Sequence, residues 1–542
     1  MAGELSARQR LTELGSMTPD VLASRLGGRL IALDEPVPAG ADLEPITLQD
    51  EEGFRMDERG LTFVLLLALH RLLPGQRVRV EYSAGHGVFV HLPEHPLSVE
   101  EIRAVDETMH AVIAEKLPFE KQLLTRDTAV AAFRAAGRED RAAQLLLQPD
   151  QPVAVYHLAE LMDEFYGAMP TDTGALSVFA LIPCDTGLVL QLPNAAKPSV
   201  PETYIDRPKH LAVFRQSADW CSILNVVNAA DLSRLMRRGM RTFIRVNEAL
   251  QDKALARLAD TIARQRKRVI FIAGPSSSGK TTTASRLAIQ LRVLGLHPVL
   301  VSLDHYYLDR DTIAPGPDGT IDLEDIRTLN LPLLRRQIGD LLAGKPVHLP
   351  WFDFKTGKSN RDAHETVLPP GEPILFEGIH GLNPLLSEGV PPEAIHRVFV
   401  SALTCMNLDD HNRIRTTDVR LLRRMVRDYA FRGTKPIDTL TMWDSVRAGE
   451  RKWIFPFQEQ ADSIVNTALH YELPFLKRAV GSTLAEIPED DPKALTAARL
   501  LRLLAEFPEA PEELLDEVPP TSILREFIGG STFDKPDGVE HS

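Results

Sequence analysis

The stretch RKRVIFIAGPSSSGKTTTASRLAIQLRVLG, residues 266–295, decides the fold of the C-terminal half of the chain. Its apolar run VIFIA is typical of a buried strand, and TTASRLAIQLRVL has the apolar spacing of a helix. Between them, residues 274–281 fit the pattern GxxxxGK(S/T). Glycines let the backbone wrap closely around phosphate oxygens, and the N–H groups of the loop and helix attract negative charge. The order of strand, loop and helix therefore predicts a site for a nucleoside triphosphate.

The end of this loop is expected to contact both the triphosphate and its metal. Lys280 can reach the β- and γ-phosphates, and the Thr281 hydroxyl is placed to ligate Mg²⁺. ATP and Mg²⁺ are the expected cosubstrate and cofactor. The residues predicted to bind ATP are Gly274, Ser276, Ser277, Ser278, Gly279, Lys280, Thr281 and Thr282. The loop does not reveal whether water, a protein or a small molecule accepts the phosphoryl group.

Two further predicted strands end at carboxylates. VLVSL is followed by Asp304, and PILFE ends at Glu377. Ligands of an open α/β sheet sit beyond the carboxyl ends of its strands. Asp304 is therefore the candidate general base for an acceptor hydroxyl, and Glu377 is the candidate for orienting Mg²⁺, directly or through water. The spacing alone also allows a metal-ligand or capping role for Asp304, and an ordinary strand-end carboxylate at Glu377.

A basic helix is predicted in DVRLLRRMVRDYAFRGTKP, residues 418–436. We expect Arg420 and Arg423 to lie on a solvated face. Arg427 and Arg432 are instead candidates for a lid, because guanidinium groups stabilise the charge that spreads over a transferred phosphoryl group. A mobile lid would also exclude water from the reaction.

The composition is that of an ordinary globular protein. The chain has 542 residues, of which 44% are hydrophobic and 25% charged, and its net charge of −14 argues against general nucleic-acid binding. The most apolar early run, residues 61–69, is about half of a bilayer span, so it predicts a buried helix. We expect a cytoplasmic protein with no membrane partner.

The alternation of strand, loop and helix in residues 267–480 predicts an α/β fold, a parallel sheet with helices on both faces. The N-terminal half mixes helices and alternating strands, which predicts α+β domains. The predicted divisions are residues 1–52, 53–225, a helical connector at 226–266, the α/β domain at 267–480, and a helical extension with tail at 481–542. The apolar segment TSILREFIGGSTF near the C-terminus is expected to dock on the body of the protein.

Residues 267–480 resemble the uridine kinase and phosphoribulokinase family of P-loop kinases. The matching segments, in chain order, are GPSSSGKTT, SLDHYYLDR, TIDLEDIRTLNLPLL, LPWFDFKTGK, LFEGIHGLN, VRLLRRMVRDYAFRG and QADSIVN. The resemblance implies that Asp304 is the catalytic base and that Tyr307 and Asp322 hold the nucleoside. It also implies that Asp353 lies in a substrate segment, and that Arg427 and Arg432 belong to the lid.

The chain departs from that family at the acceptor site. Phe352 replaces a tyrosine of the family pattern, and Gly357 stands where a histidine that contacts the pyrimidine ring would fall. These differences question base recognition more than kinase chemistry. The segment 401–418 is longer than a compact uridine kinase needs, and it contains Arg413 and Arg415, for which the sequence suggests no role.

Residues 15–225 resemble the N-terminal region of threonyl-tRNA synthetase, in which a β-grasp TGS domain precedes an editing domain. The likeness is carried by residues 46–82, 95–121 and 163–174. The family's metal-binding pattern, His-x-x-x-His and Cys-x-x-x-His, falls on residues that are poor metal ligands. These are Arg59, Phe63, Phe165 and Met169. The resemblance therefore implies an editing scaffold without its metal site.

These observations predict an ATP-dependent phosphotransferase with an alcohol acceptor, and the resemblance favours 5′-phosphorylation of a uridine- or cytidine-type nucleoside. One alternative is a kinase for another small alcohol, such as a sugar, sugar phosphate or cyclitol. A second is a nucleotide-dependent RNA-binding factor, against which the acidic charge argues. For the N-terminal half, binding of RNA or a nucleotide regulator, support of a homo-oligomer, and bracing of the kinase all stay open.

Overall fold

A computed structural model describes residues 5–38, 40–184, 186–313, 322, 324–404 and 406–533. The chain divides into two compact units. Unit 1 comprises Met1–Arg238, Thr404–Arg415 and Gly481–Pro508. Unit 2 comprises Gly239–Leu403, Thr416–Val480 and Glu509–Ser542. The predicted connector and the predicted C-terminal extension are each divided between the two units.

Unit 1 is an α+β structure built on several small antiparallel sheets. Its strands are β1 (Leu5–Ser6), β2 (Val21–Leu26), β3 (Arg29–Ile31), β4 (Pro36–Val37), β5 (Glu44–Thr47), β6 (Arg79–Ala84), β7 (Gly87–His91), β8 (Glu120–Leu124), β9 (Val153–Leu158), β10 (Leu161–Asp163), β11 (Ala180–Cys184), β12 (Gly187–Gln191), β13 (Pro193–Asn194) and β14 (Lys197–Pro201). Its first helices are α1 (Ala7–Glu13), α2 (Glu51–Leu72), α3 (Val99–Ala114), α4 (Arg126–Ala135), α5 (Glu139–Leu145), α6 (Pro208–Ile223) and α7 (Ala229–Arg237). The largest of its sheets has the strand order β11-β12-β7-β6.

Helix α2 confirms the predicted buried helix. Leu61 and its apolar neighbours up to Leu69 pack in one core with strands β6, β7 and β12. This packing explains an apolar run of that length inside a globular unit, because the helix has partners around most of its circumference. Among the described helices, none combines the length and the apolar character that a membrane crossing requires.

The segment 404–415, inserted in the sequence of the α/β half, is part of unit 1. Arg413 donates to the Glu58 carboxylate at 2.7 Å, and Arg415 pairs with the same group. Although burial opposes ionisation, these two arginines lower the pKa of Glu58 to about 2. The amide of Asn407 also donates to the Val80 carbonyl at 2.9 Å. The two arginines without a predicted role therefore have a structural one.

Unit 2 contains the predicted α/β sheet. Its strands are β15 (Val269–Ala273), β16 (Val299–Ser302), β17 (Val347–Asp353), β18 (Lys358–Thr366), β19 (Ile374–Glu377), β20 (Ile395–Ser401) and β21 (Ser463–Asn466). Its helices are α8 (Met240–Arg264), α9 (Lys280–Val293), α10 (Leu331–Leu342), α11 (Thr416–Arg432), α12 (Pro436–Trp453) and α13 (Glu472–Ala485), whose last residues belong to unit 1. Near the C-terminus, α14 (Ala494–Ala505) lies in unit 1 and α15 (Arg525–Ile528) in unit 2.

The main sheet of unit 2 has the order β16-β19-β15-β20-β21, and every pairing in it is parallel. Successive residues of β15 point to opposite faces. Ile270 and Ile272 pack with α8 and α9, whereas Val269 and Phe271 pack with α10. Because both faces are covered, the central strand is apolar at every position, as the run VIFIA predicted. The predicted α/β fold with helices on both faces is confirmed.

Candidate active site

The glycine-rich loop connects the central strand β15 to helix α9. Its backbone needs conformations that most residues avoid, since Ser277 and Gly279 have φ values of 57° and 81°. Gly274 lies against strand β20, so that a Cβ there would come within 2.0 Å of the Val400 carbonyl oxygen. Glycine at 274 and 279 therefore lets the loop fold tightly beside the sheet.

The loop presents polar groups that suit a phosphate ligand. Within the described part of the chain, the buried hydroxyls of Ser277 and Ser278 have no hydrogen-bond partner. Buried polar groups are normally satisfied, so these hydroxyls point to a ligand with acceptor oxygens. The exposed Thr281 side chain follows on the first turn of α9. Its hydroxyl and the Glu377 carboxylate are the hard oxygen ligands that Mg²⁺ prefers, so the donor set fits Mg²⁺ with a nucleoside triphosphate.

Lys280 begins helix α9 and is half-buried. Its ammonium Nζ donates to the Pro275 carbonyl at 3.2 Å, which holds the side chain along the loop. Burial lowers the pKa of this ammonium, while the nearby carboxylates of Glu377, Asp304 and Glu526 act in the opposite direction. A partly desolvated cation among carboxylates is suited to neutralise a polyphosphate.

Asp304 and Glu377 occupy the carboxyl ends of neighbouring strands. Strands β16 and β19 pair so that Ser302 lies opposite Glu377, and Asp304 follows two residues after Ser302. Burial raises the pKa of Asp304, against the influence of Lys280 and two arginines. Burial and the Asp304 charge raise the pKa of Glu377 to about 7. The sheet thus brings together the two carboxylates and the lysine that the sequence nominated.

The prediction that Arg420 lies on a solvated face is wrong. Arg420 is 1% exposed, and its Nε donates to the Ser276 carbonyl at 2.9 Å. The same guanidinium pairs with Glu450 of α12, whose Oε1 accepts from the Ser276 backbone N–H at 3.0 Å. Arg420 and Glu450 therefore hold the backbone of the glycine-rich loop at Ser276. No motif or spacing in the sequence indicated this role of Glu450.

The same prediction is wrong for Arg423. Its side chain is fully buried and donates to the Glu472 carboxylate at 2.6 Å and to the Thr467 carbonyl at 2.8 Å. Thr467 in turn donates its hydroxyl to the Ser278 carbonyl at 2.6 Å. The next residue, Arg424, donates to the Ser276 hydroxyl at 3.0 Å. The basic helix α11 is thus a buried support of the loop, because acidic partners from α12 and α13 satisfy its charges.

The two predicted lid arginines differ in their surroundings. Arg427 is half-buried, and burial lowers the pKa of its guanidinium. Its Nη1 lies 3.7 Å from Glu526 Oε1, and its Nε lies 3.8 Å from Asp428 Oδ1. Arg432 is 55% exposed in its side chain and donates to Asp428 at 3.1 Å. Both act on the pKa of Asp304, so both lie on its side of the site.

Tyr307, on whose pKa Asp304 acts, lies near two aromatic rings. Its ring centroid is 5.6 Å from that of Phe352 and 6.4 Å from that of Phe354. Glu324 is an additional carboxylate here that the sequence did not single out. Burial and the Glu450 charge raise its pKa to about 6, against the opposing charges of Lys280 and Arg424. Its position two residues after Asp322, a predicted substrate residue, could have pointed to it in the sequence.

The two other predicted substrate carboxylates, those of Asp322 and Asp353, each have a polar partner nearby. Asp322 is exposed, and its Oδ2 lies 3.3 Å from the Lys452 ammonium. Asp353 accepts from the Lys355 N–H at 2.8 Å and from the Thr356 hydroxyl at 2.9 Å, within the turn between β17 and β18. Burial raises the pKa of Tyr307, and the charges of Asp304, Glu324 and Asp322 raise it further, so Asp322 acts on the same tyrosine as Asp304. The contacts of Asp353 stabilise the turn, and its role in a substrate segment stays a prediction.

Gly357 occupies the place where the family resemblance implied a ring-binding histidine. It has a φ of 69°, and a Cβ there would come within 2.6 Å of Arg310 Cδ. The Arg310 backbone N–H also donates to the Gly357 carbonyl at 3.0 Å. The aliphatic stem of Arg310 therefore fills the position that a larger side chain would take.

In unit 1, the residues at the expected metal-ligand positions lie together. The rings of Phe63 and Phe165 have centroids 5.0 Å apart, and Met169 belongs to the same buried cluster. The Arg59 guanidinium donates to the Ala168 carbonyl at 2.8 and 3.0 Å. Aromatic packing and an arginine–carbonyl contact thus bring these four positions together.

Two parts of the chain are similar to different known proteins. Residues 269–472 match the sequence model of the Phosphoribulokinase / Uridine kinase family. The chain is 29% identical to the uridine kinase of Deinococcus deserti over 199 residues, 36% of this chain and 86% of that protein. It is 36% identical to uridine-cytidine kinase C of Dictyostelium discoideum over 144 residues, 24% of this chain and 29% of that protein.

The N-terminal region has different relatives. The chain is 27% identical to the threonine–tRNA ligase of Oleidesulfovibrio alaskensis over 170 residues, which are 31% of this chain. It spans about a quarter of the length of that ligase, 26%. Residues 269–472 are thus a domain of the Phosphoribulokinase / Uridine kinase family, in a chain whose N-terminal region is similar to threonine–tRNA ligases.

Proposed function

We propose that the chain transfers the γ-phosphoryl group of ATP to a hydroxyl of a small molecule, with a nucleoside as the favoured acceptor. The observation that carries the proposal is the meeting of Lys280, Asp304 and Glu377 at the carboxyl edge of one parallel sheet, beside a loop with unsatisfied hydroxyls. A phosphate-binding cation next to a raised-pKa carboxylate is the pairing that phosphoryl transfer to an alcohol needs.

In this mechanism, the loop amides, the Ser277 and Ser278 hydroxyls and Lys280 hold the triphosphate. Asp304 accepts the proton of the acceptor hydroxyl as its oxygen attacks. Arg427 and Arg432 stabilise the charge on the transferred group. Thr281 and Glu377 would hold Mg²⁺, which neutralises phosphate charge when bound.

The acceptor is proposed to lie against the aromatic rings of Tyr307 and Phe352, with the Glu324 carboxylate accepting hydrogen bonds from its hydroxyls. The name of the Deinococcus deserti relative supports a nucleoside, and a nucleobase has a face that can stack on these rings. Phe352 and Gly357 support the alternative of another small alcohol, because neither offers a polar side chain for reading a base.

A panel of acceptors tests the proposal. The intact chain, with ATP and Mg²⁺, is incubated with uridine, cytidine, a purine nucleoside, a sugar and a cyclitol, and ADP release and product mass are measured. We expect acceptor-dependent ADP release with a pyrimidine nucleoside and a nucleoside monophosphate as product. Turnover with the sugar or cyclitol alone would replace the nucleoside assignment. ADP release that no acceptor stimulates would contradict the kinase assignment, and Lys280→Ala controls for contaminating activity.

The pH range over which kcat/KM for ATP is high is expected to be narrower than the range between the usual pKa values of aspartate and lysine. Burial raises the pKa of Asp304, so the inactive protonated form persists to higher pH than in an exposed aspartate. The acid limb should therefore lie above the usual aspartate range. Burial lowers the pKa of Lys280, so its charge is lost, and activity falls, below the usual lysine range.

Glu377 is the other group that can produce the acid limb, since its pKa is about 7. The profile of Glu377→Gln separates the two. If Asp304 sets the limb, the residual activity of this variant keeps a limb above the usual aspartate range. A profile that is flat down to the usual aspartate range in the unmodified chain would contradict the prediction.

A further inference from the structure

The predicted docking of the C-terminal segment is confirmed within unit 2, and the segment lies on the phosphate-binding loop. Ile523, Leu524 and Phe527 are fully buried. The Arg423 guanidinium lies 5.0 Å above the Phe527 ring, and a Cβ added to Gly279 would meet Ile523 at 2.7 Å. Apolar packing therefore holds helix α15 against the loop, and α15 carries one carboxylate inward.

That carboxylate belongs to Glu526. Its Oε2 accepts from the Thr282 hydroxyl at 2.7 Å and lies 3.4 Å from the Thr282 backbone nitrogen. Its Oε1 lies 3.7 Å from Arg427 Nη1. The Thr282 N–H is one of the amides at the start of α9 that have no acceptor within the helix, so it is free to bind an anion. Glu526 thus contacts one donor of the proposed phosphate site and one proposed lid arginine.

We propose that Glu526 is an internal anion that competes with the phosphates of ATP for Thr282 and Arg427. This inference rests on the proposed binding of ATP at the loop. Two anions on the same donors repel each other, so nucleotide binding displaces the carboxylate. Rotation about the side-chain torsions of Glu526 is enough for this, and the buried residues of α15 stay docked.

The competition has a consequence for affinity and for the lid. The apparent affinity for ATP is reduced by the fraction of molecules in which Glu526 holds its donors. Displacement also releases Arg427 from an acidic partner, so that its guanidinium can turn to the transferred phosphoryl group. The C-terminal segment thereby couples occupation of the loop to the state of the lid.

Three variants test the competition, with calorimetric titration of the intact chain by adenylyl imidodiphosphate and Mg²⁺. Glu526→Ala is expected to bind roughly tenfold more tightly than the unmodified chain, since a hydrogen-bonded charge is removed from the site. Glu526→Gln should show a smaller gain, because its amide oxygen can still accept from Thr282. Glu513→Gln removes the same charge from an exposed position of the C-terminal region and should leave affinity unchanged.

Each other outcome also decides the matter. Equal affinity in all four proteins would mean that Glu526 only caps α9. Weaker binding by Glu526→Ala would mean that Glu526 contacts the nucleotide. Either result overturns the inference but not the kinase assignment. No binding by any of the four would overturn both. Binding by Glu526→Ala but not by the unmodified chain would support the inference. Urea unfolding checks that the variants fold. If Glu526→Ala does not fold, the affinity of Glu526→Gln decides between these outcomes.

Discussion

Replacement of Asp304 by asparagine is expected to lower kcat about a thousandfold, the usual contribution of a positioned general base. Asparagine keeps the size of the side chain but cannot accept the proton of the acceptor hydroxyl. Binding of ATP should be retained or become tighter, because the substitution removes a carboxylate that lies close enough to Lys280 and Glu377 to act on their pKa values. The measurement is kcat with saturating substrates, together with the Kd for ATP.

A matched control is available on the surface of the same unit. Asp340 on α10 pairs with Lys345 at 3.1 Å, and its side chain is 33% exposed. Asp340→Asn therefore makes the same chemical change away from the site, and its kcat should stay close to that of the unmodified chain. A kcat of Asp304→Asn within about tenfold of the unmodified value would remove Asp304 from the base role.

The local elements of the site were predictable because their signals are contiguous. The run VIFIA, the glycines and the following helix define the loop, and β15 and α9 have nearly the predicted bounds. Asp304 and Glu377 were placed correctly at strand ends, since the ends of parallel strands meet at one edge of the sheet. Their chemical roles stay predictions.

The supporting contacts were not predictable in the same way. Whether an arginine-rich helix is solvated or buried depends on what packs against it, and the partners of Arg420 and Arg423 lie on α12 and α13. Charge spacing within one helix carries no information about those partners. For the same reason no role could be predicted for Arg413, whose acidic partner Glu58 lies more than three hundred residues earlier.

The acceptor side shows a third kind of limit. The family resemblance implied a substrate role for Asp322, which stays a prediction, and Glu324 is a further carboxylate there, on which Lys280 and Arg424 act. No periodicity or motif in the sequence indicates that the Glu324 side chain also lies there. Gly449 leaves space for Glu324, because a Cβ there would approach the Glu324 Cβ to 2.8 Å.

Arg423 links the stability of unit 2 to the phosphate-binding loop. Its guanidinium donates to the Glu472 carboxylate, which is itself 3% exposed, and to the Thr467 carbonyl. Removing one partner of a buried ion pair leaves the other charge desolvated without compensation. The Glu472 carboxylate would then stay buried without the Arg423 charge. Thr467, whose hydroxyl donates to the Ser278 carbonyl, would lose its hydrogen bond from Arg423.

We therefore expect Arg423→Met to lower the free energy of unfolding by about 3–5 kcal/mol, the usual cost of breaking a buried pair from one side. Methionine retains much of the aliphatic volume, so the effect reports the charge rather than a cavity. The measurement is urea unfolding of the intact chain, followed by tryptophan fluorescence. Trp351, Trp443 and Trp453 are in unit 2, which makes the signal report mainly on that unit.

Arg432→Met on the same helix is the control. Its side chain is 55% exposed, and its partner Asp428, although buried, keeps Arg424 at 3.1 Å, so the loss should stay below about 1 kcal/mol. If the two substitutions lower stability equally, Arg423 does not make a buried pair of the kind described. The double variant Arg423→Met/Glu472→Leu sharpens the comparison, since removing both charges should restore part of the stability that the single change loses. A double variant less stable than Arg423→Met would show that the stranded carboxylate is not the source of the loss.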